Sequence, residues 1–339
     1  MYLFPEYAIV LKGNHNTKES TSQMNEQTEL LRKVRTALQN RDYKSAITYL
    51  KQTAKMAGDS GDTAAEGRHL GNLALIYYRL NQPERALRYF GLALERAKQE
   101  KDRVTEGGLL GNMGNILREM GRLDDAIDYL NRALIIAQEI GDIRGRGIWL
   151  GNLGLVYDDS KQSDKAVEYH QKAIEIAREL HDQRGLVSRL SNLGNSHVTL
   201  EQYAEAITQF KEVVTLQEAL GEKTEVALRL GIIGNLYNEL GRQHEDDKKA
   251  QALFVEALEH YDRTLAMARE LDDVISEAQL LRSIGGVLAS VGRFDDSLDY
   301  LDSSRDMFDV LGLDDEREMT DQHIKAVNDY RSEINNPSS

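Results

Sequence analysis

With 339 residues, 41% hydrophobic content and a formal net charge of −14, the chain can bury a large core, and it lacks the Lys and Arg surplus on which general nucleic-acid binders depend. It contains no cysteine, which excludes a disulfide framework, a thiolate metal site and a cysteine nucleophile. No apolar run reaches the length of a membrane span, and Pro5 and Glu6 interrupt the apolar start where a signal peptide would continue, so a cytoplasmic location is expected.

In chain order, residues 1–24 stand outside any repeat: apolar Met1-Tyr2-Leu3-Phe4 and Tyr7 to Leu11 pass into a polar run of Asn, Thr and Ser. A mobile tail is expected there, with Met24 as an alternative start and docking of the apolar tip in a groove as a second reading. Asn25 to Ala57 keeps Leu30, Ala46 and Leu50 in phase with the later copies but has Lys33 where those have Leu73 or Leu153, as suits a terminal cap facing water. From Thr63 a unit of forty residues repeats. Its marks are Leu70-Gly71-Asn72, Leu110-Gly111-Asn112, Leu150-Gly151-Asn152 and Leu190-Ser191-Asn192, with Ala46, Ala86, Ala126, Ala166 and Ala206 at the same step.

Each unit reads as two amphipathic helices. In Asp102 to Ile140 the first carries Leu109, Leu110, Met113, Ile116, Leu117 and Met120, and the second Leu123, Ala126, Ile127, Leu130, Ala133, Leu134, Ala137 and Ile140, separated at Gly121-Arg122. Asp62, Asp102, Asp142 and Asp182 stand where they can cap the first helices. After Gly241 the spacing to Ala257 is eleven residues longer than in sister copies. The stripe Ala250, Leu253, Phe254, Ala257, Leu258, Tyr261 runs through this insertion (around 243–255) in phase, so the second helix should gain roughly seven residues at its start. That predicts a protrusion carrying Leu253 and Phe254, as a secondary partner contact or as packing on the adjacent repeat. The last repeat ends near residue 312, residues 313–334 read as a polar capping helix and 335–339 as a disordered tail. Residues 25–57 carry seven bases and three acids, and 293–318 three bases and ten acids, so unlike ends could attract weakly, head to tail.

This pattern resembles the tetratricopeptide repeats. Gly114, Gly154, Gly194 and Gly234 match the small position of that family's first helix, Tyr77, Tyr157 and Tyr237 its aromatic, Ala86, Ala126, Ala166, Ala206 and Ala257 the small position of the second helix, and Phe90, Phe210 and Tyr261 its large one. The forty-residue unit with Asn-Leu-Gly-Asn is similar to the subclass of the Pins/LGN adaptors and their bacterial relatives. The resemblance covers residues 25–312 and implies an all-α, right-handed superhelical solenoid of antiparallel helix pairs, about seven repeats and a C-terminal cap.

For function, the asparagines Asn72, Asn112, Asn152 and Asn192, with Asn115, Asn195 and Asn235 three residues further along, form a row across stacked repeats. An amide offers both a donor and an acceptor, which suits the main chain of an extended peptide; the plain alternative is that each serves stacking. In the adaptors that the chain resembles, such asparagines grip a peptide backbone, and an Arg before the Leu-Gly-Asn core, here Arg68, reads acidic peptides. Gly108, Ile148, Ser188 and Leu228 replace it later, where Arg144, Arg184, Arg189, Arg229 and Arg282 could compensate while Glu119, Asp159 and Glu239 oppose. Gly71, Gly111, Gly151 and Gly231 point by helical angle to the same side, where a missing side chain would let a ligand backbone approach.

No catalytic constellation and no metal or cofactor motif is found. Gly107 to Gly114 lacks the preceding strand of a phosphate loop, and His170 and His197 occupy core positions. The expectation is therefore a non-enzymatic scaffold holding a protein or peptide partner in its concave groove, without nucleic-acid, membrane or cofactor ligands. Its alternatives are a sensory module that responds to a peptide or signalling partner and a self-assembling structural protein.

Overall fold

Aspartates precede the first helix of most repeats, and in the computed structural model they act as the caps their positions imply. The structure describes the backbone of residues 21–335 and the side chains of residues 26–334. Carboxylates of Asp62, Asp102, Asp142, Asp182 and Asp273 each accept the main-chain N–H three residues on, at 2.8–3.1 Å, satisfying a donor that the first turn leaves open.

Fifteen α-helices are found among the described residues, and no strand. The chain divides into two compact units between Leu180 and His181. The first holds α1 (Thr21–Gln39), α2 (Tyr43–Ser60), α3 (Thr63–Arg79), α4 (Pro83–Gln99), α5 (Arg103–Glu119), α6 (Leu123–Glu139), α7 (Ile143–Asp159) and α8 (Ser163–Glu179). The second holds α9 (Gln183–Thr199), α10 (Tyr203–Leu220), α11 (Lys223–Arg242), α12 (Asp247–Glu270), α13 (Val274–Ser290), α14 (Phe294–Leu311) and the cap α15 (Asp314–Asn335). Helices pair in sequence order and each pair packs on the next within its unit, which makes each an all-α helical-repeat solenoid. The helix α1 begins inside the stretch read as a tail; the docking of the apolar tip and the order of residues 336–339 fall outside the described residues. No helix among the described residues is long and apolar enough to cross a membrane.

Connections between helices are mostly three residues long, with the middle residue in the left-handed region: Asn81, Lys101, Lys161 and Glu201 have φ of 55–58°, and Gly121 and Gly141 have φ of 74° and 72°. That conformation closes the helix end through bonds such as Gln82 N–H to the Tyr77 carbonyl, 2.9 Å, and Asp102 N–H to the Ala97 carbonyl, 2.9 Å.

Inside each pair a small residue of the first helix faces a large one of the second. A Cβ built on Gly114 would stand 2.7 Å from Leu130, on Gly154 2.5 Å from His170 and on Gly234 2.7 Å from Tyr261; Gly194 meets the ring of Phe210 in the same way. The helices approach through these sockets, and Leu130, His170, Phe210 and Tyr261 are all buried.

The insertion lengthens both helices of its repeat. α11 has 20 residues and α12 has 24, against 17 in α3 and α4, so the added turns stand together. Of the two readings for Leu253 and Phe254, partner contact or packing on the adjacent repeat, the structure shows packing, and it is packing within their own repeat. Phe254 is only 7% exposed and its ring covers Gly241 on the lengthened α11, while Leu253 is half-buried. The apolar stripe is used by the extra turns for packing on each other.

Candidate functional site

In the first unit, α3, α5 and α7 present the asparagine row. Asn72 and Asn112 are each 5% exposed, and Nδ2 of Asn72 and Oδ1 of Asn112 are buried without a hydrogen-bond partner. Asn115 and Asn152 are half-buried on α5 and α7. Arg68 is half-buried beside His69, which is 5% exposed. Burial, and then the charge of Arg68, push the His69 pKa down to about 4 against the pull of Asp62, so this imidazole is neutral near pH 7.

Of the glycines expected to form an open notch, Gly111 is closed, because the indole of Trp149 lies over it. A Cβ built on Gly71, Gly151 or Gly231 would meet nothing nearer than Leu109 at 4.0 Å, Ala173 at 3.9 Å and Thr264 at 3.7 Å. A ligand backbone cannot use the space over Gly111. Nor are Glu119 and Asp159 free negative charges on this face. Glu119 accepts the Tyr78 hydroxyl at 2.5 Å and Asp159 lies 3.6 Å from Arg118, which links α3 to α5 and α5 to α7 near their C-terminal ends. These links depend on inter-repeat register, and no local motif announces them.

In the second unit Asn192 is half-buried and Asn195 exposed. Asn235 is exposed yet engaged, its Oδ1 accepting the Tyr261 hydroxyl at 2.6 Å. Arg184 is exposed, and Arg189 lies 3.8 Å from the Asp182 carboxylate with 13% of its side chain exposed. Arg229 is corrected from ligand reader to packing group. Its guanidinium stacks on Phe210 with 4.6 Å to the ring centroid, donates to Ser191 Oγ at 3.2 Å and has its pKa lowered by burial. Arg282 likewise belongs to the cap, 2.7 Å from Glu316 and 5.3 Å over the Phe308 ring. On α11 the positions that correspond to Arg68 and Asn72 are Leu228, 63% exposed, and Ile232, 37% exposed.

His170 and His197 are core, as their positions imply. His170 is fully buried and its Nε2 donates to Asp158 at 3.1 Å; His197 is 7% exposed and its Nδ1 donates to Gln202 at 2.7 Å. Among the described residues no group of three or more His, Asp or Glu side chains is placed to hold a metal ion.

Three family models, each described as "Tetratricopeptide repeat", match residues 31–101, 106–179 and 186–223, together more than half of the chain. Comparison with curated protein sequences returns no match. Among solved structures, the chain is similar to a signal transduction ATPase with numerous domains from Pyrococcus horikoshii that has a tetratricopeptide repeat sensor, at a TM-score of 0.62 and 14% identity. That match covers 92% of this chain but 45% of the other, so the chain spans under half the length of that protein. It is also similar to the apo form of RapI, at a TM-score of 0.58 and 17% identity over 91% of this chain and 99% of that one. BtubC from P. vanneervenii matches at a TM-score of 0.55 and 17% identity, over 75% of this chain and 93% of its own. At these identities the likeness is one of fold.

Proposed function

The chain belongs to the tetratricopeptide repeat family, and on that premise we propose that it is a non-catalytic protein-interaction scaffold that holds an extended or helical peptide segment of a partner against its first helices. The observation that supports this most is the pair of orphaned amides on α3 and α5. A buried donor at Asn72 Nδ2 and a buried acceptor at Asn112 Oδ1 lack partners, and leaving such a group unpaired costs about 1–3 kcal/mol. A peptide main chain carries both a C=O and an N–H to answer them, whatever its side chains. Asn115 and Asn152 extend the amide row of the first unit toward solvent, and Asn192 and Asn195 stand at the corresponding positions within the second.

Arg68 before Leu70-Gly71-Asn72, together with the forty-residue step, supports placement in the Pins/LGN-like subclass and an acidic group on the ligand near α3. The partners proposed are proteins or peptides in the cytoplasm, without nucleic acid or membrane. Weak head-to-tail self-association through the basic first repeat and the acidic last one is a secondary part of the proposal.

The test is affinity capture from native cell extract, comparing the unaltered chain with Asn112→Ala/Asn152→Ala/Asn192→Ala. Loss of a specific protein from the variant, with unchanged helicity and melting, is the expected result. Identical captures, or a variant that unfolds, would make the amides structural.

A further inference from the structure

The first unit holds a recess of about 350 Å³ that lies apart from the asparagine row, between α2 and α4 with α3 as its floor. Ala54, Leu70 and Leu73 give it an apolar base, Tyr89 a wall, and Lys51, Lys55 and Asp59 a rim along α2. Comparison of the repeats explains why it exists here. At the forty-residue step from Ala54 stand Leu94, Leu134, Ile174 and Val214, all large and aliphatic, of which Leu94, Ile174 and Val214 are buried. At the step from Gly58 stand Lys98, Gln138, Arg178 and Glu218. The Glu66 carboxylate covers Gly58, 3.3 Å from a Cβ built there, so the volume left unfilled is the one beside Ala54, where the sisters carry a large aliphatic side chain. An unfilled apolar surface counts against stability, so this gap calls for an occupant.

The charges around the recess say what kind. Glu66, which faces it from α3, is taken up by Arg96 through two hydrogen bonds of 2.6 and 3.0 Å. Lys51 and Lys55 are exposed, one helical turn apart, and among the described residues neither is in an ion pair; the Tyr89 and Tyr77 hydroxyls adjoin Lys51. The corresponding pairs in later repeats are Gly91 and Glu95, Asn131 and Ile135, Gln171 and Glu175, and Lys211 and Thr215, so the double lysine is particular to this place. Asp59, one turn beyond Lys55, gives the rim a polarity.

We propose that this recess is a second peptide-binding site, on a different face of α3 from the amide row, for a segment of a partner protein in which a large aliphatic or aromatic side chain is joined to carboxylates. The apolar side chain fills the volume that Leu94 fills in the next repeat, and the carboxylates lie against Lys51 and Lys55, away from Asp59. Shape selects the anchor residue, and the two lysines set the direction of the segment.

The test uses the full chain and a random peptide library displayed on phage, selected on the unaltered protein and counter-selected on Ala54→Leu. That variant restores the residue its sisters carry, so it should fold with an unchanged or higher melting temperature. The expected result is enrichment of peptides with a large apolar residue next to Asp or Glu. A synthetic copy of the best of them should lose about tenfold or more in affinity on Ala54→Leu, and about as much on Lys51→Glu/Lys55→Glu. The same peptide should still bind Asn112→Ala/Asn152→Ala/Asn192→Ala, which separates this site from the amide row. Selected peptides without acids, equal binding to Ala54→Leu, or no enrichment would overturn the proposal. So would a concentration-dependent mass that Ala54→Leu abolishes, since the occupant would then be a second copy of this chain.

Discussion

The two units treat the same helix face differently. In the first, the position after the glycine is Asn72, Asn112 and Asn152, and buried amides lie unpaired on it; in the second, Asn192 gives way on α11 to Ile232, with Leu228 exposed one turn before. The sockets beneath do not change in this way. Gly154 receives His170 in the first unit as Gly194 receives Phe210 in the second, and Gly114 and Gly234 are filled as closely by Leu130 and Tyr261. Neighbour-only packing holds the sockets to one shape and leaves the position after the glycine free to vary from repeat to repeat.

The strongest break of that contrast is steric. Gly194→Val would push two methyl groups into the Phe210 ring and should cost about 3 kcal/mol in urea unfolding of the protein, whereas Gly91→Ala, with nothing within 4 Å, should add about 0.5–1 kcal/mol. If the two behaved alike, the sockets would be less confined than their contacts imply.

Next comes acid. His69 has a folded pKa of about 4, below the ordinary histidine value, so the unfolded chain takes up the proton first as pH falls. Its contribution is steady above about pH 6.5 and is lost between there and pH 4, amounting to about 2–3 kcal/mol at about pH 4.5. Denaturation midpoints at about pH 7 and about pH 4.5 should therefore differ less in His69→Leu than in the unaltered chain by this amount. An equal difference would show that the imidazole is not held neutral.

A smaller effect is expected at the cap. Arg282→Ala removes the contacts to Glu316 and Phe308 and should weaken α15 by about 1–2 kcal/mol, read as faster amide exchange confined to that helix. Exchange that rises through α9 and α10 as well would instead make α15 part of one cooperative block. Least of all, Asn72→Leu removes an unpaired buried amide and should be neutral or stabilising by up to about 1 kcal/mol, while Asn235→Ala, which frees the Tyr261 hydroxyl, should cost about 1 kcal/mol. Equal losses would mean that Asn72 has a structural partner after all.

Much of the architecture could be read from the residues. The forty-residue step, the capping aspartates and the unbroken stripe through the insertion are local or periodic signals, and α12 gains its extra turns where that stripe runs. The features that escaped depend on register between helices and between repeats. Which residue each of them meets, Trp149 on Gly111, Arg229 on Phe210 and Phe254 on Gly241, is set by how two helices lie against each other and not by the angular position of either residue on its own helix. The small residues at 54 and 58 were visible as letters, but an alanine in a helix raises no question until its sisters are seen to be Leu94 and Ile174.

The left-handed middle residues of the connections have a consequence for how such a chain can grow. A stretch cut at Lys101 and again at Gly141 begins and ends in the same backbone geometry, because both residues have positive φ, 55° and 72°. A gene segment encoding that stretch could be copied in place and the new joints would need no adjustment. Lengthening by duplication is thereby open to this protein at nearly every turn, and point changes on the outward row can then give each copy a task of its own.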